Sequence, residues 1–204
     1  MTERKERPPI LRAHRSSASA ITQTLARAFI DDPAFSWIVP DRAQRPRVLQ
    51  RFFAIAAADD FSNGFALASP DHGAATLWRE PGRAGESLLH TIVSAPAYLR
   101  AFGACLPRAM RVGNTISAHF PAGERYLYLH IAGVDPAQQG RGLGGAAIRA
   151  GQDTAREREL DIYLETATTD NVTIYRRLGF DVVCEYDVPG GGPHFWGMMW
   201  RHNP

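Results

Sequence analysis

The stretch from Tyr126 to Gly145 constrains this chain more than any other. An alternating run, YLYLHIAGV, passes through DPAQ into QGRGLGG and on into the helical pattern AAIRAGQDTARERE. A half-buried strand, a glycine-rich turn and a helix in immediate succession require a sheet, a tight bend and a helix packed back onto that sheet. The bend also aims a row of backbone N–H groups out of a helix N-terminus, where partial positive charge collects and an anion such as a pyrophosphate is held. Gln139, Gly142 and Gly144 fit the spacing Q/R-x-x-G-x-G/A. Glycine is needed there because a Cβ would keep phosphates off the amides and forbid the φ values of the turn.

Other phosphate motifs fit less well. No Gly-Lys-Ser/Thr follows, which excludes a Walker A loop. Gly140, Gly142 and Gly145 do satisfy the dinucleotide fingerprint G-x-G-x-x-G, with Asp161 ~20 residues onward. Against it, residues 135–139 separate the strand from the turn, and too few β-α units follow to build a second mononucleotide half. The acidic residue expected at the end of the next strand is more naturally Glu165, which is displaced. A turn that merely caps a helix needs one glycine. Here four stand between Gly140 and Gly145, and each destabilises a helix start by up to ~1 kcal/mol relative to alanine.

Periodicity and turn residues predict the remaining elements. The first seven residues read as disordered and 8–15 as a short strand. A helix follows from Ser16 or Ser17 to Ile30, stopped by Asp31-Asp32-Pro33, then a loop bearing Phe35 and Trp37, and a helix over 42–60. Strands 65–69 and 74–80 pair across Pro70-Asp71-His72-Gly73. Helices are expected around 86–95 and 97–112. After strand 125–134 and helix 142–158 come strand 161–166, helix 171–178, and strands 180–187 and 195–201. Early helices, a central meander and a late β-α-β-α-β-β run argue an α+β domain with a mixed sheet.

The formal charge of +2 and the scatter of basic residues leave no nucleic-acid footprint. Arg51, Arg100, Arg108 and Arg111 read as solvated helix surface. Cys105 and Cys184 lie far apart without CxxC spacing and read as reduced thiols of a cytoplasmic protein. The start, MTERKERPP, has no apolar signal-peptide core, and no run is long enough to span a bilayer, so no membrane partner is expected. A length of 204 residues with 45% apolar content suits one domain over 1–204, as a monomer or homodimer.

In the order GVDP before QGRGLG, then LETA, then NVTIYRRLGF, the chain resembles the GNAT superfamily of acetyl-CoA-dependent N-acetyltransferases over residues 124–182. LETATTDNVTIYRRLGF and the C-terminal EYDVPGGGPHFWGMMW also resemble the puromycin N-acetyltransferase group. The first 120 residues share only that group's general layout, so no drug substrate is carried over. The resemblance implies the GNAT fold, a mixed central sheet of about seven strands flanked by helices. It implies acetyl-CoA as cosubstrate, no metal, and a diphosphate gripped by the backbone of Gln139, Gly140, Arg141, Gly142, Leu143, Gly144 and Gly145. It further implies that the Val134 N–H polarises the thioester carbonyl, that Asn171 bonds the pantetheine or nearby backbone, and that Tyr175, one helical turn on, meets the CoA sulfur and protonates it as it leaves.

An acceptor ammonium with a pKa of about 10.4 must lose its proton to a base or water chain near neutral pH. His130 is the leading base: by period-two alternation it shares a face with Tyr128, Ala132 and Val134, and the family's bases often come from the positions matching Tyr128 and His130. Glu165 orients a water in the proton path or bonds backbone at the sheet's opening. His119 lies in a loop on the acceptor side. Phe35, Trp37, Trp78, Phe120 and Tyr126 are candidate pocket aromatics, and Asp31-Asp32 a candidate attraction for a cationic amine. The resulting expectation is an N-acetyltransferase acting on a small-molecule primary amine by direct attack in a ternary complex. The rivals are a non-catalytic CoA-binding sensor and a protein or peptide amine acetyltransferase, which needs an open groove that the bulk of residues 81–123 disfavours.

Overall fold

Both faces of the strand β4 (Tyr126–Val134) carry helices, and it forms the middle of a seven-stranded mixed sheet. A computed structural model describes residues 8–85 and 88–203; the disorder expected of residues 1–7 lies outside the described residues. The other strands are β1 (Leu11–Arg12), β2 (Gly64–Ala68), β3 (Ala74–Arg79), β5 (Asp161–Thr166), β6 (Asp181–Asp187) and β7 (His194–Trp200), in the order β1-β2-β3-β4-β5-β7-β6. All neighbouring pairs are antiparallel except β4 and β5. Their parallel register runs only from Tyr126 opposite Asp161 to Tyr128 opposite Tyr163. Beyond Tyr128 the two strands part, and the sheet opens into a cleft.

The helices α6 (Leu143–Glu157) and α7 (Thr169–Arg177) cover one face, burying Trp78, Leu127, Leu129, Ile148, Ile162 and Met198. Gly151 sets the closeness of that packing, since a Cβ there would lie 2.0 Å from the Trp78 ring. On the other face α1 (Ala18–Ala28) and α3 (Arg45–Asn63) bury Ile21, Leu25, Leu49, Phe53, Leu77 and Ile131. Each fully buried side chain of this kind contributes about 1.5–3 kcal/mol. α2 (Pro33–Ile38), α4 (Leu88–Phe102) and α5 (Leu106–Ala118) close the same side over Tyr186 and Phe195.

The strand expected over 8–15 shortens to Leu11–Arg12 and the helix expected around 97–112 moves to Leu106–Ala118; three other departures have local reasons. Asp32-Pro33 stops α1 but also starts α2: the Asp32 carboxylate accepts the amides of Ala34 (2.9 Å) and Phe35 (3.1 Å), with proline in the first turn. The predicted break near Pro96 is absent, because α4 runs through that proline and ends at Gly103, whose φ of +53° no β-carbon residue adopts readily. Thr168 caps α7 by accepting the Asn171 amide at 3.3 Å, which starts the helix at Thr169 rather than Asn171.

Candidate active site

The β3–β4 ladder slips where Leu77 pairs with Ile131 and Trp78 with Leu129, leaving His130 as an extra residue in β4. Such a bulge breaks the period-two alternation. Leu129 and Ala132 pack on the α6 face, while Ile131 packs on the α3 face. His130 therefore stacks with Tyr128 at 5.5 Å as expected, but Ala132 and Val134 turn to the opposite face, which corrects the shared face expected from the sequence.

The bulge places His130 against α3. Its Nδ1 lies 2.7 Å from Oδ2 of Asp60, a carboxylate with no solvent exposure. Asp60 also accepts Arg79 Nε at 2.6 Å, and the same guanidinium donates to Asp59 at 2.9 Å. Burial pushes the Asp60 pKa up, but the charges of and hydrogen bonds from His130 and Arg79 outweigh it and hold the carboxyl below its ordinary range. As a carboxylate Asp60 only accepts, so the ring donates from Nδ1 and leaves its Nε2 lone pair available. Sequence reading missed this partner. The signal was an acid in register with the inward Phe53 and Ala56 of α3.

Glu165, at the splayed end of β5, accepts the Tyr128 hydroxyl at 2.8 Å through Oε2, while its buried Oε1 has no protein partner. Burial raises its pKa to about 8 despite the tyrosine hydrogen bond. Below that pH the protonated form predominates, with Oε2 still the acceptor of the Tyr128 hydroxyl. Tyr175 is buried, packed 5.7 Å from Phe180, and burial pushes its phenol up to about 12. Asn171 donates to Thr166 Oγ1 at 3.1 Å.

The glycine turn is held from outside. Gln138 donates to Asp71 at 2.9 Å, Asp135 N–H to the Gly73 carbonyl at 2.8 Å, and a Cβ on Gly73 would lie 2.2 Å from the Gln138 side chain. Gly140 and Gly142 take φ of +75° and +78°, with open space where a Cβ would stand. Among the described residues, the amides of residues 140–145 meet no protein acceptor; the first helical bond is Ala146 N–H to Gly142 O at 3.0 Å. Val134 lies opposite Ala74, whose carbonyl is taken by Ser69 N–H at 3.0 Å, so Val134 turns its own N–H away from β3 toward the gap beside β5. Glycines, unpaired amides and the parted strands fit a diphosphate with an extended thiol arm, and so fit coenzyme A.

A cavity of about 590 Å³ brings together His130, Glu165, Asn171 and Tyr175. Of the candidate aromatics, Phe35 and Phe120 line it, joined by Phe29, Phe52, Phe102 and Phe195, which sequence reading did not select. Trp78 is core beneath Gly151, Tyr126 packs on Tyr163, and Trp37 lies under Arg108. His119 ends α5, stacked 3.8 Å from Tyr186, and does not line the cavity. Asp31 is taken by Arg42 and Arg45, whereas Asp32 reaches the cavity wall.

The profile of the Acetyltransferase (GNAT) family matches residues 30–180. The chain belongs to the GNAT acetyltransferase family. A mycothiol acetyltransferase of Mycolicibacterium gilvum is 41% identical over 63 residues, 27% of this chain and 21% of the relative. The chain thus spans about a fifth of the length of the curated relatives it matches. Among solved structures, one described as histone acetyltransferase HPA2 and related acetyltransferase, from Corynebacterium glutamicum, superposes with a TM-score of 0.70 at 22% identity, covering 96% of this chain and 97% of the other. Arylalkylamine N-acetyltransferase 2 from Aedes aegypti superposes at 0.63 with 12% identity, covering 96% and 99%. Both share the fold of this GNAT protein.

Proposed function

We propose that this GNAT protein is a cytoplasmic N-acetyltransferase, one domain over residues 1–204, that transfers acetyl from acetyl-CoA to a primary amine of a small molecule by direct attack in a ternary complex. The observation that carries the reading is His130, oriented by Asp60, in one cavity with Asn171 and Tyr175 where β4 and β5 part. Bound acetyl-CoA supplies an activated acetyl group. The amides of Gly140 through Gly145 grip the diphosphate beside Gln139, whose own N–H bonds the Pro136 carbonyl instead, and Asn171 bonds the pantetheine arm. Val134 N–H donates where negative charge develops on the carbonyl oxygen. Nε2 of His130 takes the proton from the acceptor ammonium, and the Asp60 charge compensates the charge the ring acquires. The Tyr175 hydroxyl, kept neutral by burial, donates to the departing sulfur as the carbon–sulfur bond breaks, and the second proton that the attacking nitrogen sheds on becoming an amide restores the phenol. Neither Cys105 nor Cys184 lines the cavity, which favours direct attack over an acetyl-cysteine route.

Release of free thiol from acetyl-CoA across an amine panel tests the reading. Wild type is expected to release thiol only with amine. His130→Gln is expected to lower kcat/KM by about 10²–10⁴ and Tyr175→Phe to lower kcat, both with CoA affinity held within about twofold. CoA binding without turnover on any amine would identify a non-catalytic sensor, and turnover confined to peptides a protein acetyltransferase.

A further inference from the structure

We propose that the acceptor is a small monoamine with an aromatic or branched apolar body, which lies among Phe29, Phe35, Phe52, Phe102 and Phe120 while its amine reaches His130. This rests on the acetyltransferase reading and names the substrate class of that site.

The rings come from separate parts of the chain: Phe29 just after α1, Phe35 on α2, Phe52 on α3, Phe102 at the end of α4 and Phe120 beyond α5. All five face one cavity together with His130. They also brace one another, with centroids 5.9 Å apart for Phe29 and Phe35, 5.2 Å for Phe35 and Phe52, and 5.6 Å for Phe52 and Phe102. Phe29, Phe35, Phe52 and Phe120 remain only half-buried, so part of each ring is left for another apolar surface. The glycine turn and Tyr175 belong to the α6 and α7 side of the sheet, whereas these rings stand on the α3 side, where the bulge aims His130. The two substrates therefore meet at the parted strands from opposite faces.

Charge narrows the class further. Besides His130, the described acidic and basic side chains that line the cavity are Asp32, Arg79 and Glu165. Arg79 is neutralised by Asp59 and Asp60. Glu165 holds a proton below about pH 8, and one oxygen of Asp32 is committed to the α2 amides. Among the described residues, Asp32 is thus the acid of the wall left for a second positive charge. Against the phenyl rings, the second ammonium of a diamine or the hydroxyls of an amino sugar find no hydrogen-bond partner. The polar side chains of the wall beyond the reacting centre include Asp32, whose carboxyl pKa is raised by burial, and Asn114 and Ser117 of α5. Polar groups left unpaired discriminate strongly between substrates.

The test compares 2-phenylethylamine, putrescine and glucosamine at saturating acetyl-CoA, with calorimetric titration of each amine into the CoA-loaded protein as a readout that needs no turnover. Phenylethylamine is expected to lead in kcat/KM by about a hundredfold or more and to bind most tightly. Phe35→Ala is expected to weaken its binding about tenfold while CoA still raises the variant's Tm, which shows that the variant is folded. Equal or better use of putrescine or glucosamine overturns the inference and leaves the acetyltransferase reading intact, as does unchanged phenylethylamine binding in Phe35→Ala. Tight phenylethylamine binding without thiol release supports the inference and removes the catalytic reading instead.

Discussion

At Glu165 burial works against ionisation, with a consequence for stability. Its pKa rises from about 4.5 to about 8 because the carboxyl is withdrawn from water, with Tyr128 its hydrogen-bonding neighbour. Between those values the folded chain holds a proton that the unfolded chain has released, so stability falls as pH rises through that window and levels off above it. Glu165→Gln keeps the shape and removes the titration. Its Tm is expected to gain on the wild type between pH 5 and pH 8.5, by an amount equivalent to about 3–5 kcal/mol. A constant gap in calorimetry at the two pH values would mean that the carboxyl is already ionised in the fold. Asp60 has the opposite sign: its pKa is depressed, so its contribution is present above the ordinary carboxylate range and is lost in acid. His130 was legible in the sequence because a histidine in an alternating apolar strand stands out. Asp60 was not, because its pairing joins residues 70 apart through a bulge that no alternation rule announces.

Among the elements, two glycines of one helix separate binding from packing. Gly142 precedes α6 in the left-handed region with nothing beside its missing Cβ, whereas Gly151 within α6 faces the Trp78 ring at 2.0 Å. Gly142→Ala is expected to cost about 1–2 kcal/mol of backbone strain and to weaken CoA binding about tenfold or more, since its methyl would enter the space above the unpaired amides. Gly151→Ala is expected to destabilise by about 1–3 kcal/mol through overpacking, with CoA affinity in the folded fraction unchanged. Thermal melts and CoA titrations on both variants check the pair. β5, matched from Asp161 to Thr166, was read in full because alternation and flanking breaks agree there. α2 was not read because Asp32-Pro33 carries two meanings, a stop for the helix before and a cap for the helix after. The phenylalanine wall was legible only at Phe35 and Phe120, since convergence of α1, α2, α3 and α4 is a property of packing.

For the whole molecule, the proposed reading makes the sheet, parted at β4 and β5, the partition between a CoA side and an acceptor side. A ligand selective for the folded state at a hundred times its Kd adds about 2.7 kcal/mol of apparent stability. CoA is therefore expected to raise Tm by several degrees, and NAD at equal concentration to leave it unchanged; the reverse result would assign the glycine turn to a dinucleotide. The β2–β3 turn, far away in sequence, takes part in this through Asp71 and Gly73, which fasten Gln138 and Asp135 beside that bend. A segment poor in internal bonds is thereby kept stationary from next door. Deuterium from solvent would replace its amide protons quickly, yet a protease would find no slack there to cut.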